Sequence, residues 1–188
     1  MAIKIYIDQG HNPYNINAGA EGNGLREQDI TYLVGMYLYD LLSANPNFEA
    51  LTSRKYPAEI LGYDNNSSLR ARVDEANTWG ADYFISIHTN ANVNPAINGT
   101  EAYVYSTTGE SYVLATYLVD SITTRLGTKN NGIYARPSLY VLRRTNMPAV
   151  LVELAYITNY EDALLLANNT YDFSYAMYEA LLVYFGLD

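Results

Sequence analysis

The sequence predicts an α/β fold: a single domain over residues 1–188 whose mostly parallel or mixed central sheet is flanked by helices on both faces. Three observations predict it. Short apolar runs with strand alternation take turns along the chain with longer stretches at helical spacing, the order expected when strands are joined through helices. The segment from Ala149 to Ile157 is almost continuously apolar, as a central strand buried on both faces must be. A length of 188 residues suits one domain, and no internal repeat, linker or low-complexity tail divides it.

Taken in order, Ile3, Ile5 and Ile7 alternate with Lys4 and Tyr6, giving a first strand that ends near Asp8. From Ile30 the positions Leu33, Val34, Tyr37, Leu38, Leu41 and Leu42 follow helical spacing, and Asn45-Pro46 stops that helix. Phe48 to Thr52 reads as a short strand. Leu69, Val73 and Ala76 mark a helix closed by Gly80. Tyr83 to Ile87 and Thr100 to Tyr105 are strands, and Leu114, Leu118, Ile122 and Leu126 form a helical stripe that stops at Gly127. Tyr140 to Leu142 suggests a short strand. After the strand at Ala149, Thr158 and Glu161 have the spacing of a capping box that opens a helix. The last helix carries Phe173, Ala176, Met177, Ala180, Leu181 and Tyr184 on one face. In sheets of this kind ligands sit beyond the carboxyl ends of the strands.

Composition excludes several functions. A formal charge of −9 with 11 scattered Lys and Arg residues is unsuited to phosphate neutralisation, so nucleic acid is not expected as a partner. The same balance disfavours an anionic lipid surface. No apolar run approaches the ~20 residues of a membrane span, and the N-terminus lacks the pattern of a signal peptide. With no cysteine, disulfides, thiolate metal sites and cysteine nucleophiles are absent. No Walker or dinucleotide glycine motif, Gly-x-Ser-x-Gly elbow or His-Glu-x-x-His helix is found. Tyrosine is abundant, 20 residues against 4 Phe. Most of these rings are expected to replace Phe with the hydroxyl at the surface, and some to line a binding groove.

The chemistry concentrates in a few residues. The only histidines, His11 and His88, both fall at predicted strand ends, where each is either a hydrogen-bonded structural residue or a metal ligand. Imidazole suits zinc, whose catalytic sites use three protein ligands and a water. Without cysteine the third ligand is a carboxylate. Glu27 leads, although an acid in a first helical turn is also favoured by the helix dipole; Glu21 and Asp29 are its rivals. Glu153 interrupts the apolar strand Val150-Leu151-Val152-Glu153-Leu154. A carboxylate there needs a cation, a metal or an open site. It is either an ion-pair partner of Arg143 or Arg144, or a general base beside a metal.

These segments, in this order, resemble the zinc-dependent N-acetylmuramoyl-L-alanine amidases of the LytC and AmiC type. The resemblance runs from Ile3 to about Phe185 and rests on Ile5-Tyr6-Ile7-Asp8-Gln9-Gly10-His11, Gly24-Leu25-Arg26-Glu27, Ser86-Ile87-His88-Thr89-Asn90-Ala91 and Met147-Pro148-Ala149-Val150-Leu151-Val152-Glu153. Gly99-Thr100-Glu101 and Leu139-Tyr140-Val141-Leu142-Arg143 have counterparts as well. It implies a Zn2+ cofactor held by His11, Glu27 and His88, with Glu153 as catalytic base. The implied substrate is peptidoglycan, both glycan strand and stem peptide, cut between N-acetylmuramic acid and L-alanine. Asp8 is expected to orient a ligand histidine, and Asn90 and Arg143 to lie against the substrate. The chain departs from the family at Gln9, at Asn12 and at Ala155-Tyr156, where proline, glycine and Gly-Phe are usual. Action at the bacterial cell wall follows, after export, phage release or in a sporulating mother cell, with oligomeric state left open. Two other classes remain: a metal-independent glycosidase using two carboxylates, and a non-catalytic wall-binding module.

Overall fold

The computed structural model describes residues 2–187. Along the chain run β1 (Ile3–Gln9), β2 (Glu21–Gly22), β3 (Leu25–Arg26), α1 (Glu27–Ser43), β4 (Phe48–Thr52), α2 (Asn65–Trp79), β5 (Tyr83–Asn90), β6 (Thr100–Val104), α3 (Glu110–Leu126), β7 (Asn130–Ala135), α4 (Tyr140–Arg144), β8 (Ala149–Tyr156), α5 (Tyr160–Asn168) and α6 (Thr170–Phe185). Six strands form one sheet in the order β4-β1-β5-β8-β6-β7, while β2 and β3 make a separate small hairpin. All neighbours are parallel except β6 and β8, which are antiparallel. The sheet is therefore mixed, as the alternating order of elements predicts.

Strand alternation divides the core in two. Ile5, Ile7, Ile85, Ile87, Val150, Val152, Ala102 and Val104 point to one face, under α1, α3 and α6. Tyr6, Phe84 and Leu151 point to the other and pack with Val73 of α2 and with Val141 and Leu142 of α4. The two expected glycine stops are in place. Gly80 and Gly127 cap α2 and α3 in the left-handed conformation, with φ of 69° and 71°, which costs glycine little. Among the described residues no helix is long and apolar enough to cross a membrane.

Two expectations need correction. Tyr140–Leu142 is not a strand but the start of the five-residue helix α4; three apolar residues are too few to distinguish the two periods. The cap of α5 is not Thr158 but Asn159, whose side chain accepts from the Asp162 N–H. Thr158 instead accepts through Oγ1 from the N–H of Asn92. The edge strand β7 was not expected at all: Asn130-Asn131-Gly132-Ile133-Tyr134-Ala135 carries no regular alternation.

Candidate active site

Parallel strands set side by side bring their carboxyl ends to one edge of the sheet, and the predicted residues collect there. His11 follows β1, His88 lies near the end of β5, and Glu27 opens α1, its carboxylate reaching between the two rings. Glu27 Oε2 is 3.2 Å from His11 Nε2, and Glu27 Oε1 is 3.0 Å from His88 Nδ1. One ligand atom from each residue falls within 4.8 Å of the others, a group able to hold a metal ion. The rivals of Glu27 are elsewhere. Glu21 and Asp29 are exposed and flank Arg26 at 3.9 and 3.7 Å.

Glu27 itself is buried and well bonded. Its Oε1 accepts from the N–H of Thr89 at 3.0 Å and its Oε2 from the N–H of Ala20 at 2.8 Å. Burial alone would raise its pKa, but hydrogen bonds and charge from His11 and His88 outweigh that and hold the carboxyl well below the usual range. It is thus an anion at any physiological pH, as a ligand must be.

The loop that carries His11 is held by a buried arginine. His11 has φ of 69°, a left-handed conformation uncommon for a residue with a side chain. Arg72 of α2, itself 1% exposed, donates to the His11 carbonyl at 2.6 Å, to the Gln9 carbonyl at 2.6 Å and to Asn12 Oδ1 at 3.2 Å. It also pairs with Asp8 at 2.6 Å. The other Asp8 oxygen accepts from Ser86 Oγ at 2.7 Å. Asp8 is therefore no partner of a ligand histidine, contrary to expectation. His11 Nδ1 lies instead 3.1 Å from the carbonyl of Asn17. Arg72 was not singled out in the sequence, where it looks like any charged residue on a helix.

Glu153 of β8 is the Cα partner of His88 on one side and of Glu101 on the other. All three side chains point to the same face of the sheet, because paired residues do so. Among the described residues Glu153 has no ion pair. Its Oε2 is buried without a hydrogen-bond partner, and Arg143 and Arg144 are exposed on α4. Burial pushes the Glu153 carboxyl well above the usual range, and the charges of Glu27 and Glu101 push it further. Glu101 had no role in the sequence reading. Its carboxylate accepts from Asn90 Nδ2 at 2.7 Å, from the Tyr156 hydroxyl at 3.3 Å and from the Tyr103 hydroxyl. Asn90 is thus bound to Glu101, beside Glu153. A small cavity of about 140 Å³ adjoins the histidines, walled by Leu69, Leu139, Val141 and Leu151.

A group able to hold a metal ion thus lies beside a buried carboxylate without a partner, and comparison with known proteins gives the family. The N-acetylmuramoyl-L-alanine amidase family matches residues 5–182. N-acetylmuramoyl-L-alanine amidase LytC of Bacillus subtilis (strain 168) is 35% identical over 170 residues, covering 89% of this chain and 32% of that protein. The amidase CwlM of Bacillus licheniformis is 35% identical over 165 residues, covering 86% of this chain and 59% of that protein. The chain thus spans less than two thirds of the length of either relative. The crystal structure of an N-acetylmuramoyl-L-alanine amidase from Clostridium difficile 630 is similar over 98% of this chain and 97% of its own, with a TM-score of 0.87 at 26% identity. The match across nearly the whole sequence settles the assignment: the chain belongs to the N-acetylmuramoyl-L-alanine amidase family.

Proposed function

We propose that this chain is a zinc-dependent hydrolase of peptidoglycan that cleaves the amide bond between N-acetylmuramic acid and L-alanine. The observation that carries the reading is the unpartnered Glu153 Oε2 beside a cluster of two imidazoles and a carboxylate. Two nitrogen donors and one carboxylate oxygen are a ligand set typical of catalytic zinc, which keeps a further position open. His11, Glu27 and His88 would hold the ion. When bound, zinc supplies a lowered pKa for an attacking water and positive charge for a developing oxyanion.

The chain's own residues account for the rest. Glu153 takes the proton of the water that attacks the lactyl carbonyl and returns it to the departing L-alanine nitrogen. Burial and two neighbouring carboxylates raise its proton affinity, which suits a group that must hold a proton between these steps. Thr89 and Ala20 fix the Glu27 carboxylate through their N–H groups, and Arg72 fixes the loop of His11. The identities of LytC and CwlM support the same reaction and substrate.

Digestion of purified peptidoglycan, with and without a strong zinc chelator, tests this. New L-alanine amino termini should appear, vanish with chelator and return with added zinc. New reducing ends that ignore chelator would make the chain a glycosidase instead. Binding to the wall without any cleavage would make it a binding module.

A further inference from the structure

The site face of the sheet continues past the base. Register along β8, β6 and β7 sets Glu153, Glu101 and Gly132 in one row and Leu151, Tyr103 and Tyr134 in the next. Adjacent strands are about 4.8 Å apart and alternate residues about 6.8 Å, which puts Tyr103 about 8 Å and Tyr134 about 12 Å from Glu153. The helices on this face reach as far as Tyr103, which packs in part against their cluster. Tyr134 is 47% exposed and Arg136 is exposed. Both rings are held in place: the Tyr103 hydroxyl donates to Glu101, and that of Tyr134 to the Asn131 carbonyl at 2.7 Å. The Arg136 guanidinium lies 5.2 Å from the centre of the Tyr103 ring. A face lined by the carboxylates of Glu27, Glu101 and Glu153 thus carries an exposed cation over an aromatic floor at its β6–β7 end.

We infer that Tyr103, Tyr134 and Arg136 form the subsite for the stem peptide, with Arg136 pairing with the carboxylate of its second residue. The inference rests on the amidase reading. Glu153 protonates the leaving L-alanine nitrogen, so the leaving peptide lies on the Glu153 side of the ligand cluster, and β6 and β7 are what lies beyond. Extended chain advances about 3.4 Å per residue. The second residue therefore comes about 7 Å from the scissile nitrogen, level with Arg136 above Tyr103. Charge decides between the two halves of the substrate. The glycan around the lactyl amide offers an arginine no anion, whereas the peptide carries carboxylates.

The test is a titration of the full chain with L-alanyl-γ-D-glutamate and with the same dipeptide amidated at its α-carboxyl, followed by backbone amide resonances. The free acid should bind about tenfold more tightly than the amide and shift resonances of β6 and β7. Arg136→Gln should abolish that preference. Arg125→Gln, which removes the same charge from the opposite face of the sheet, should keep it. Tyr134→Ala should weaken both ligands. Equal or no binding of the two dipeptides, or a preference that survives Arg136→Gln, overturns the proposal. So does a disaccharide of N-acetylglucosamine that shifts the β6–β7 resonances in their place. Because the readout is binding, the result stands apart from the wall digestion: fragments that bind as described while no amino termini are released would sink the amidase reading alone.

Discussion

The two faces of the central sheet are built from alternate residues of the same strands, yet they are made for different ends. On one face Ile5, Ile7, Ile85, Ile87, Val150 and Val152 are fully buried beneath α1, α3 and α6. Each such side chain contributes about 1.5–3 kcal/mol by leaving water. The other face is split along the strands. Tyr6, Phe84 and Leu151 pack under α2 and α4, but one step further along lie Asp8, Ser86, His88 and Glu153. There burial works against the charges it encloses. Asp8 is compensated by Arg72 and Ser86, while Glu153 is not compensated. The difference teaches that one face is given wholly to apolar packing, while the other shares its packing with buried charges and leaves one carboxylate without a partner.

The largest effect should come from removing that carboxylate. Glu153→Gln keeps the shape but cannot take a proton, and turnover of peptidoglycan should fall about 10²–10⁴-fold. Metal content by elemental analysis should stay, and the urea midpoint of the metal-free chain should not drop, since among the described residues Glu153 has no ion pair and its Oε2 no hydrogen bond to lose. His88→Ala should lose both turnover and metal. Full turnover in Glu153→Gln would remove Glu153 from the mechanism.

That contrast was partly legible in the amino-acid sequence. The Ile3, Ile5, Ile7 alternation and the apolar run at Ala149 announce their strands because burial on one or both faces leaves its period in the residues. Glu153 was legible for the same reason, as a charge where the pattern demands an apolar side chain. His11 and His88 stood out as the chain's only imidazoles, at strand ends. Arg72 was not legible. Its helix is mostly polar around it, and its burial comes from the β1 strand and its loop, which are 60 residues or more away in sequence. Glu101 was hidden likewise, since only the antiparallel pairing of β6 with β8 brings it beside Glu153. The edge strand β7 and the short α4 carry too few apolar residues to show a period.

Next in size is the ion pair on the site face against a core residue of the other. Arg72→Met leaves Asp8 buried without its cation and should cost roughly 3–5 kcal/mol in urea denaturation. Leu118→Ala in α3 should cost a similar 2–5 kcal/mol through the cavity it leaves. The two part ways in metal affinity: Arg72→Met also frees the His11 loop and should weaken zinc binding, whereas Leu118→Ala should not. Equal zinc affinity in both variants would separate Arg72 from the site.

The pair also makes the site face sensitive to acid. Burial alone would raise the Asp8 pKa, but the charge and hydrogen bond of Arg72 and the hydrogen bond of Ser86 outweigh it, and the net shift is downward. A folded value below the unfolded value of about 3.9 means that Asp8 contributes fully above that pH. The contribution disappears as pH falls through the folded value. Asp8→Asn should therefore flatten the fall of the urea midpoint on the acid side. A profile as steep as that of the parent would assign the acid sensitivity to other carboxylates.

The smallest and sharpest contrast lies in two adjacent residues of β5. Ile85 faces the helical layer of α1, α3 and α6, and Ser86 faces Asp8. Ile85→Val should cost about 0.5–1.5 kcal/mol by the loss of one methylene. Ser86→Ala should cost about 1–2 kcal/mol, because a buried carboxylate loses a donor. Midpoints at neutral pH hardly distinguish the two; pH does. Without the Ser86 hydroxyl the folded Asp8 value rises toward the unfolded one, so the stability lost between about pH 5 and pH 2 becomes smaller. Ile85→Val touches no titrating group, and its profile should run parallel to that of the parent, lower by the same amount at every pH. Parallel profiles for both variants would mean that Ser86 does not hold the Asp8 charge, and the division of labour between the faces would then begin at Arg72 alone.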